Sequence, residues 1–467
     1  MDKPNIIIIF CDDLGYGDIG CFGSEINRTP VLDRMAEEGI RFTDFYVPSP
    51  VCSPSRAGLM TGCYPKRVGL DSGYDFSVLL PADPIGLHPD EITIADVLKS
   101  AGYATKMLGK WHLGDQSGFL PTDHGFDSYF GLPYSNDHYA GRPAEKRTHL
   151  PERFSQHRFN PMPLMRDDQV AELEPDQTFL TKRYTEEAIS FIRENKDQPF
   201  FVYFAHLYVH TPLFPPKEFL DKAENGPYGA EVECIDWSAG VILDTLKELG
   251  IDDNTLVIFT SDNGSTARMG GSNAPLRGTK ATTWEGGMRE PCIMRWPAAI
   301  PAGGVSHEVV SSMDFLPTMA KLACVDAPDD RVIDGHDIRP LMFGEDNARS
   351  PYDAFFYYGT RNHELQAVRS GKWKLHLIAN ELYDLESDIG EQHDVFARRP
   401  DVVIRLAALA DACRYDLGDA YTGIEGANTR PVGRVDNPRP LTNLDEMSTN
   451  VRALYDIDDT VGIDYAW

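Results

Sequence analysis

Hydrophobic and polar positions alternate along this chain in a way that predicts strand–helix–strand units. Asn5 leads into the unbroken apolar run IIIIFC, the pattern of a strand buried on both faces of a parallel sheet. A helix is expected over 29–39, with Thr29 as N-cap, Pro30 in the first turn and Gly39 past the end. A second is expected over 93–101, closed by Gly102 and followed by a strand over 104–108. Over 184–195 a helical period puts Ala188, Ile189 and Ile192 on one face. PFFVYFAHL over 199–207 reads as a strand, 230–249 as a long helix capped by Gly250, TLVIFT over 255–260 as a buried strand, and 292–295 as another. This order implies an α/β fold: a large, mostly parallel sheet sandwiched by helices.

The texture changes near residue 345. Segments 354–358 and 365–378 alternate like short antiparallel strands, with a turn at Ser370-Gly371, and a helix is expected over 400–415. The division that follows is 1–345 for a catalytic α/β domain, 346–414 for a small α+β subdomain, and 415–467 for an extension. That extension carries ten acidic residues, four Arg and no Lys. It is expected to wrap the surface, and its stretch 422–434 is a candidate to fold over a site or to reach a second copy in a homo-oligomer.

Composition narrows the classes. Hydrophobic content of 42% and charged content of 25% are those of a globular protein with a sizeable core. The net charge of −28 argues against nucleic acid or an anionic membrane as the main partner. Eight Cys in 467 residues, with no CxxC, do not make a disulfide scaffold or a zinc site. No apolar run approaches membrane-spanning length, and the first run leads into Asp12-Asp13 rather than a cleavage site. The chain as written is expected to be cytoplasmic and reduced, or periplasmic or secreted where an upstream signal has been removed.

Three polar clusters follow apolar strands, where open α/β sheets bind ligands. These are Asp12-Asp13, Ser261-Asp262-Asn263-Gly264, and the pair His206 and His210. Asp12, Asp13, Asp262 and Asn263 together make an all-oxygen set suited to Ca²⁺ or Mg²⁺ and not to zinc. Asp caps and an Asn-Gly turn explain either pair taken alone.

A fourth element is Cys52-Ser53-Pro54-Ser55-Arg56, followed by AGLMTG. With Gly109-Lys110-Trp111-His112, the SDNG motif, Lys280, Glu285-Gly286-Gly287, Arg289-Glu290-Pro291 and LYDL over 382–385, it resembles the type I sulfatase family of the alkaline phosphatase-like superfamily over residues ~4–400. The resemblance implies an arylsulfatase-like hydrolase of sulfuric esters, with Cys52 converted to formylglycine by a maturation enzyme. It implies one divalent cation, Ca²⁺ before Mg²⁺, held by Asp12, Asp13, Asp262, Asn263 and modified Cys52. Arg56 would orient the nucleophile, Lys110 and His210 would hold sulfate, His112 would be the base for sulfate elimination, and Lys280 would sit beside the leaving oxygen. Ser135 matches a sulfate contact of some members.

The chemistry is coherent without the family. Sulfate transfer needs a Lewis-acidic cation, fixed donors and an in-line oxygen nucleophile. A thiol among hard oxygen ligands is mismatched, and an aldehyde hydrate is not. The substrate is expected to be a sulfated carbohydrate or an aryl sulfate. A phosphonate monoester hydrolase or phosphodiesterase using the same formylglycine is the second reading, and a non-catalytic sulfate-sugar binder the third. His206 is expected to be structural. Specificity is expected in loops 71–88 and 137–176 and in the C-terminal segment, with Asp137, His138, Arg142, His363 and Arg369 as candidate contacts to the leaving group.

Overall fold

A computed structural model describes residues 3–142, 144–155, 159–360 and 363–443. Its main sheet runs in the order Gly304–Ser306, Ile40–Tyr46, Arg289–Arg295, Thr255–Ser261, Asn5–Cys11, Phe200–Ala205, Ala104–Lys110, Ser128–Leu132, Pro163–Arg166, Gln169–Leu173. The five strands from Thr255–Ser261 to Ser128–Leu132 are parallel. Arg289–Arg295 runs antiparallel to both of its neighbours.

Asn5–Cys11 shows why an unbroken apolar run is needed at the centre. Ile6, Ile8 and Phe10 point into one core layer, and Ile7, Ile9 and Cys11 into the other, all fully buried. Each such side chain stabilises the fold by about 1.5–3 kcal/mol. One layer is closed by Cys52–Thr61, Ile94–Ser100 and Phe315–Leu322, the other by Pro30–Glu37, Leu180–Glu194 and Gly226–Glu248.

Helix boundaries differ from expectation in instructive ways. Thr93 does cap its helix, through a reciprocal box with Asp96. Thr29 does not cap with its hydroxyl, which instead accepts from the Gly20 N–H at 2.8 Å and holds the preceding loop. The helix expected from 184 starts at Leu180, and Ile189 is only half-buried; Tyr184, Thr185, Ala188, Phe191 and Ile192 form the buried face.

The C-terminal part contains the antiparallel sheet Phe355–Tyr358, Leu365–Ser370, Trp373–His376, Glu381–Asp384, covered by helix Pro400–Leu417. From 415 to 443 the chain wraps the surface. Arg430 pairs with Glu91 at 2.7 Å, Gly433–Arg434 adds a short strand to Ile85–Gly86, and the Thr442 hydroxyl donates to the Pro161 carbonyl at 2.6 Å. Residues 444–467 lie outside the described residues.

Candidate active site

All five parallel strands end on the same edge, and each delivers polar groups there. Asn5–Cys11 delivers Asp12 and Asp13, and Thr255–Ser261 delivers Asp262 and Asn263. Ala104–Lys110 delivers Lys110 and His112, Ser128–Leu132 delivers Ser135, and Phe200–Ala205 delivers His210. Ile40–Tyr46 ends on this edge as well and feeds helix Cys52–Thr61, which carries Cys52 at its first position and Arg56 one turn later.

The connections between these ends are dense. The Asp12 N–H donates to the Tyr208 carbonyl at 2.9 Å, and the Val209 N–H donates back to the Asp12 carbonyl. Asp13 sits in the left-handed region at φ 61°, which aspartate tolerates, and its N–H donates to Asp262 Oδ1 at 3.2 Å. Asn263 Nδ2 donates to Asp13 Oδ1 at 2.8 Å.

Three carboxylates face three cations. Lys110 Nζ reaches Asp12 at 2.6 Å, Lys280 Nζ reaches Asp13 at 2.5 Å, and Arg56 reaches Asp262 through Nη2 at 2.7 Å and Nε at 3.0 Å. Burial alone raises Asp12, but Lys110, His210, Arg56 and Lys280 outweigh it and hold the carboxyl well below the usual range. Asp262 moves the other way: burial first, then the Asp12 charge, push it up to about 7. Burial opposes the charge on both lysines, yet Asp12 for Lys110 and Asp13 for Lys280 keep each above its ordinary value.

The residues fit a hard divalent cation. Asp12 Oδ1 and Asn263 Oδ1 are buried without a hydrogen-bond partner, which is costly unless something coordinates them. Ligand atoms of Asp12, Cys52 and Asp262 lie within 4.8 Å of one another, as do those of Asp12, Asp13 and His210. Three paired cations leave this cluster near neutral, so an added dication gives the site a net positive charge suited to an anionic ester.

Above this floor lies a cavity of about 340 Å³ lined by Cys52, His112, Ser135, Asp137, His210 and Lys280, with apolar walls from Phe76, Val78, Leu150 and Met269. His112 Nε2 is 2.8 Å from the Leu79 carbonyl, and its Nδ1 is buried without a partner. His210 Nδ1 is 3.1 Å from Asn136 Oδ1, and Ser135 Oγ accepts from Lys110 at 3.3 Å. Asp137 faces the cavity while bound to Arg142 at 2.5 Å and near His138 at 3.1 Å.

Three expected contacts lie elsewhere. Arg369 does not line the cavity; it binds Asp44 at 2.7 Å and the Tyr46 hydroxyl in a buried network. His363 is bound to Asp71 at 2.6 Å, and Arg142 is behind Asp137. His206 stacks on Phe204 with centroids 4.3 Å apart, and burial drives its pKa down to about 3, as suits a structural residue. Sequence reasoning passed over Asn136, the Leu79 carbonyl and the loop at Thr266–Met269 that borders the cavity. Of these only Asn136 had a signal, its place beside Ser135.

A family model described as Sulfatase matches residues 4–325, and one described as N-sulphoglucosamine sulphohydrolase, C-terminal, matches 279–408. The chain is 40% identical to arylsulfatase A of Homo sapiens over 450 residues, covering 87% of each. It is 41% identical to N-acetylgalactosamine-6-sulfatase of Canis lupus familiaris over 387 residues, covering 80% of this chain and 71% of that protein. Among solved structures, Ps i-CgsB in complex with k-i-k-neocarrahexaose superposes with a TM-score of 0.77 at 32% identity, covering 89% of this chain and 93% of that one.

Proposed function

Since this chain belongs to the sulfatase family and is a sulfuric ester hydrolase, we propose that it removes sulfate from sulfated saccharides using Cys52 after conversion to formylglycine. The observation that carries the nucleophile is the setting of Cys52. It opens a helix whose ten residues are all buried, at the edge where the oxygen ligands converge. Burial pushes its thiol up, and Lys110 and Lys280 do not reverse this. A protonated thiol among hard oxygens is a poor nucleophile and a poor ligand. An aldehyde hydrate made by a maturation enzyme is suited to both tasks. The saccharide reading is supported by the N-acetylgalactosamine-6-sulfatase relative and by the neighbour solved with an oligosaccharide.

Asp12, Asp13, Asp262 and Asn263 would hold the cation, which supplies Lewis-acid neutralisation of charge on the sulfuryl group. Ca²⁺ fits better than Mg²⁺, because the cage is buried and Mg²⁺ keeps several waters. Arg56, fixed by Asp262 and by the Lys110 carbonyl at 2.9 Å, holds the hydrate in place. Lys110, Ser135 and His210 bind sulfate oxygens, and Lys280 stabilises charge on the leaving oxygen. His112 Nδ1 takes the proton that allows sulfate to leave. Asp137 acts from the wall, through the orientation of His138.

Sulfate release from sulfated mono- and disaccharides and from steryl sulfate tests this, using protein co-produced with a formylglycine-generating enzyme. Saccharide turnover is expected, lost in Cys52→Ala with the fold retained, and lost on chelation with Ca²⁺ restoring more than Mg²⁺. Turnover of steryl sulfate with none on saccharides would overturn the substrate class.

A further inference from the structure

The mouth of the cavity holds a cation that the hydrolytic machinery does not use. Arg268 lines the cavity and is exposed, and its side chain has no ion pair, hydrogen bond or ring contact among the described residues. Most arginines of this acidic chain are paired, as Arg28, Arg67, Arg153, Arg295 and Arg414 are. The other lysine or arginine on the cavity wall, Lys280, is bound to Asp13. The charge of Arg268 is therefore free to meet a ligand.

The backbone that displays it is held at some cost. Ala267 and Met269, on either side, are non-glycine residues in the left-handed region, at φ 54° and 61°. Such conformations persist only where surroundings impose them, and they cluster at ligand sites. Here the Ala267 N–H donates to Ser265 Oγ at 2.9 Å, the Gly271 N–H to the Arg268 carbonyl at 3.1 Å, and Asn225 Nδ2 to the Gly270 carbonyl at 2.9 Å. The loop leaves directly from Asp262-Asn263 and returns to Lys280, so Arg268 is tied to the groups that bind the scissile sulfate. Phe76, Val78 and Leu150 on the cavity wall are apolar, and the one carboxylate among the described residues of the lining, Asp137, is bound to Arg142.

We infer that Arg268 is a specificity determinant that binds a second anionic group, a carboxylate or a further sulfate, on the leaving-group side of the substrate. Its guanidinium presents the planar fork that matches either group bidentately. This rests on the proposed saccharide reading for the identity of the leaving group, but not for the role of the arginine.

The test measures kcat/KM for matched substrate pairs with the wild type, Arg268→Ala and Arg268→Lys. One pair is a monosulfated disaccharide with a neutral or a uronic-acid neighbour, and another replaces the carboxylate by a second sulfate. A third is 4-nitrophenyl sulfate with and without a ring carboxylate. The wild type is expected to favour the doubly anionic member by roughly tenfold at low salt, through KM, with the preference shrinking as salt rises. Arg268→Ala should erase that preference, and Arg268→Lys should keep part of it. Comparison of the uronate and disulfate arms shows which anion is read. A preference seen only in the aryl pair, with saccharides refused, sinks the saccharide reading and upholds Arg268. Equal losses on both members of every pair, or no wild-type preference, overturn the assignment.

Discussion

The Leu79 carbonyl, 2.8 Å from His112 Nε2, can only accept a hydrogen bond, so the neutral imidazole must carry its proton there. Nδ1 is left unprotonated, buried and without a partner. Burial first, and then the Lys110 charge, hold the imidazole well below its ordinary pKa. A base with a depressed pKa stays competent as the medium turns acidic. The acid limb of kcat due to His112 is therefore expected below pH ~6.5, the value of a free imidazole. His112→Ala should lower kcat by about 10²–10⁴, with a smaller change in KM. A wild-type kcat already halved at pH 6.5, at constant aldehyde content, would contradict this. Most of the site was legible at this scale. Asp12, Asp13, His112, Asp262 and Asn263 stand just after a strand and Lys110 ends one, and a parallel sheet brings such ends together. Partners were not legible: Arg369 binds Asp44 across 325 residues of sequence, and no local pattern announces that contact.

Two kinds of element escaped the sequence pattern for physical reasons. Helix Cys52–Thr61 is buried on every side, so it shows no polar face, and its Ser-Pro-Ser run looks like turn chemistry. Strand Ser128–Leu132 contains Gly131, where any Cβ would lie 1.9 Å from the Gly109 carbonyl oxygen, and the glycine breaks the apolar run. The short helix Glu285–Met288 shows what such elements do. Glu285 accepts from Lys374 at 2.9 Å and from the Tyr46 and Tyr357 hydroxyls, and it faces Arg289 at 3.3 Å, so it joins the small antiparallel sheet to the main one. Burial alone raises this carboxyl, yet Lys374, Arg289 and Arg369 outweigh it and hold the group well below the usual range. A depressed acid contributes stability that is complete above its unfolded pKa of about 4.3 and is lost as pH falls below that. Glu285→Gln keeps the shape and removes one counter-charge from three buried cations, which retain Glu391 beside Lys374 at 3.0 Å and Asp44 beside Arg289 and Arg369 at 2.7 Å. The expected cost is about 1.5–3 kcal/mol in urea unfolding at pH 7, the worth of a hydrogen bond to a charged group, with a shallower loss of stability on acidification than in the wild type. An unchanged urea midpoint would show that the network adds nothing.

Across the whole molecule a net charge of −28 surrounds a pocket built for an anion. The two are compatible because the pocket's own field comes from groups a few ångströms apart: Arg56, Lys110 and Lys280 on the floor, Arg268 at the rim, and the cation that Asp12, Asp13, Asp262 and Asn263 fit. Acidic side chains stand exposed on the exterior, as at Asp168, Asp253 and Asp329. A small ester with one flanking anion spans only the pocket and its rim. A long, densely sulfated chain must also lie along the acidic exterior. That repulsion reaches ~30 Å at 0.01 M salt but only ~3 Å at 1 M. The ratio of kcat/KM for a small sulfated saccharide to that for a heavily sulfated polymer should then be largest at low ionic strength and fall several-fold as salt is raised, with the polymer's KM accounting for the change. A ratio that stays constant over this range would mean that substrate size acts through the shape of the mouth alone, and that the outer charge serves solubility without shaping selectivity.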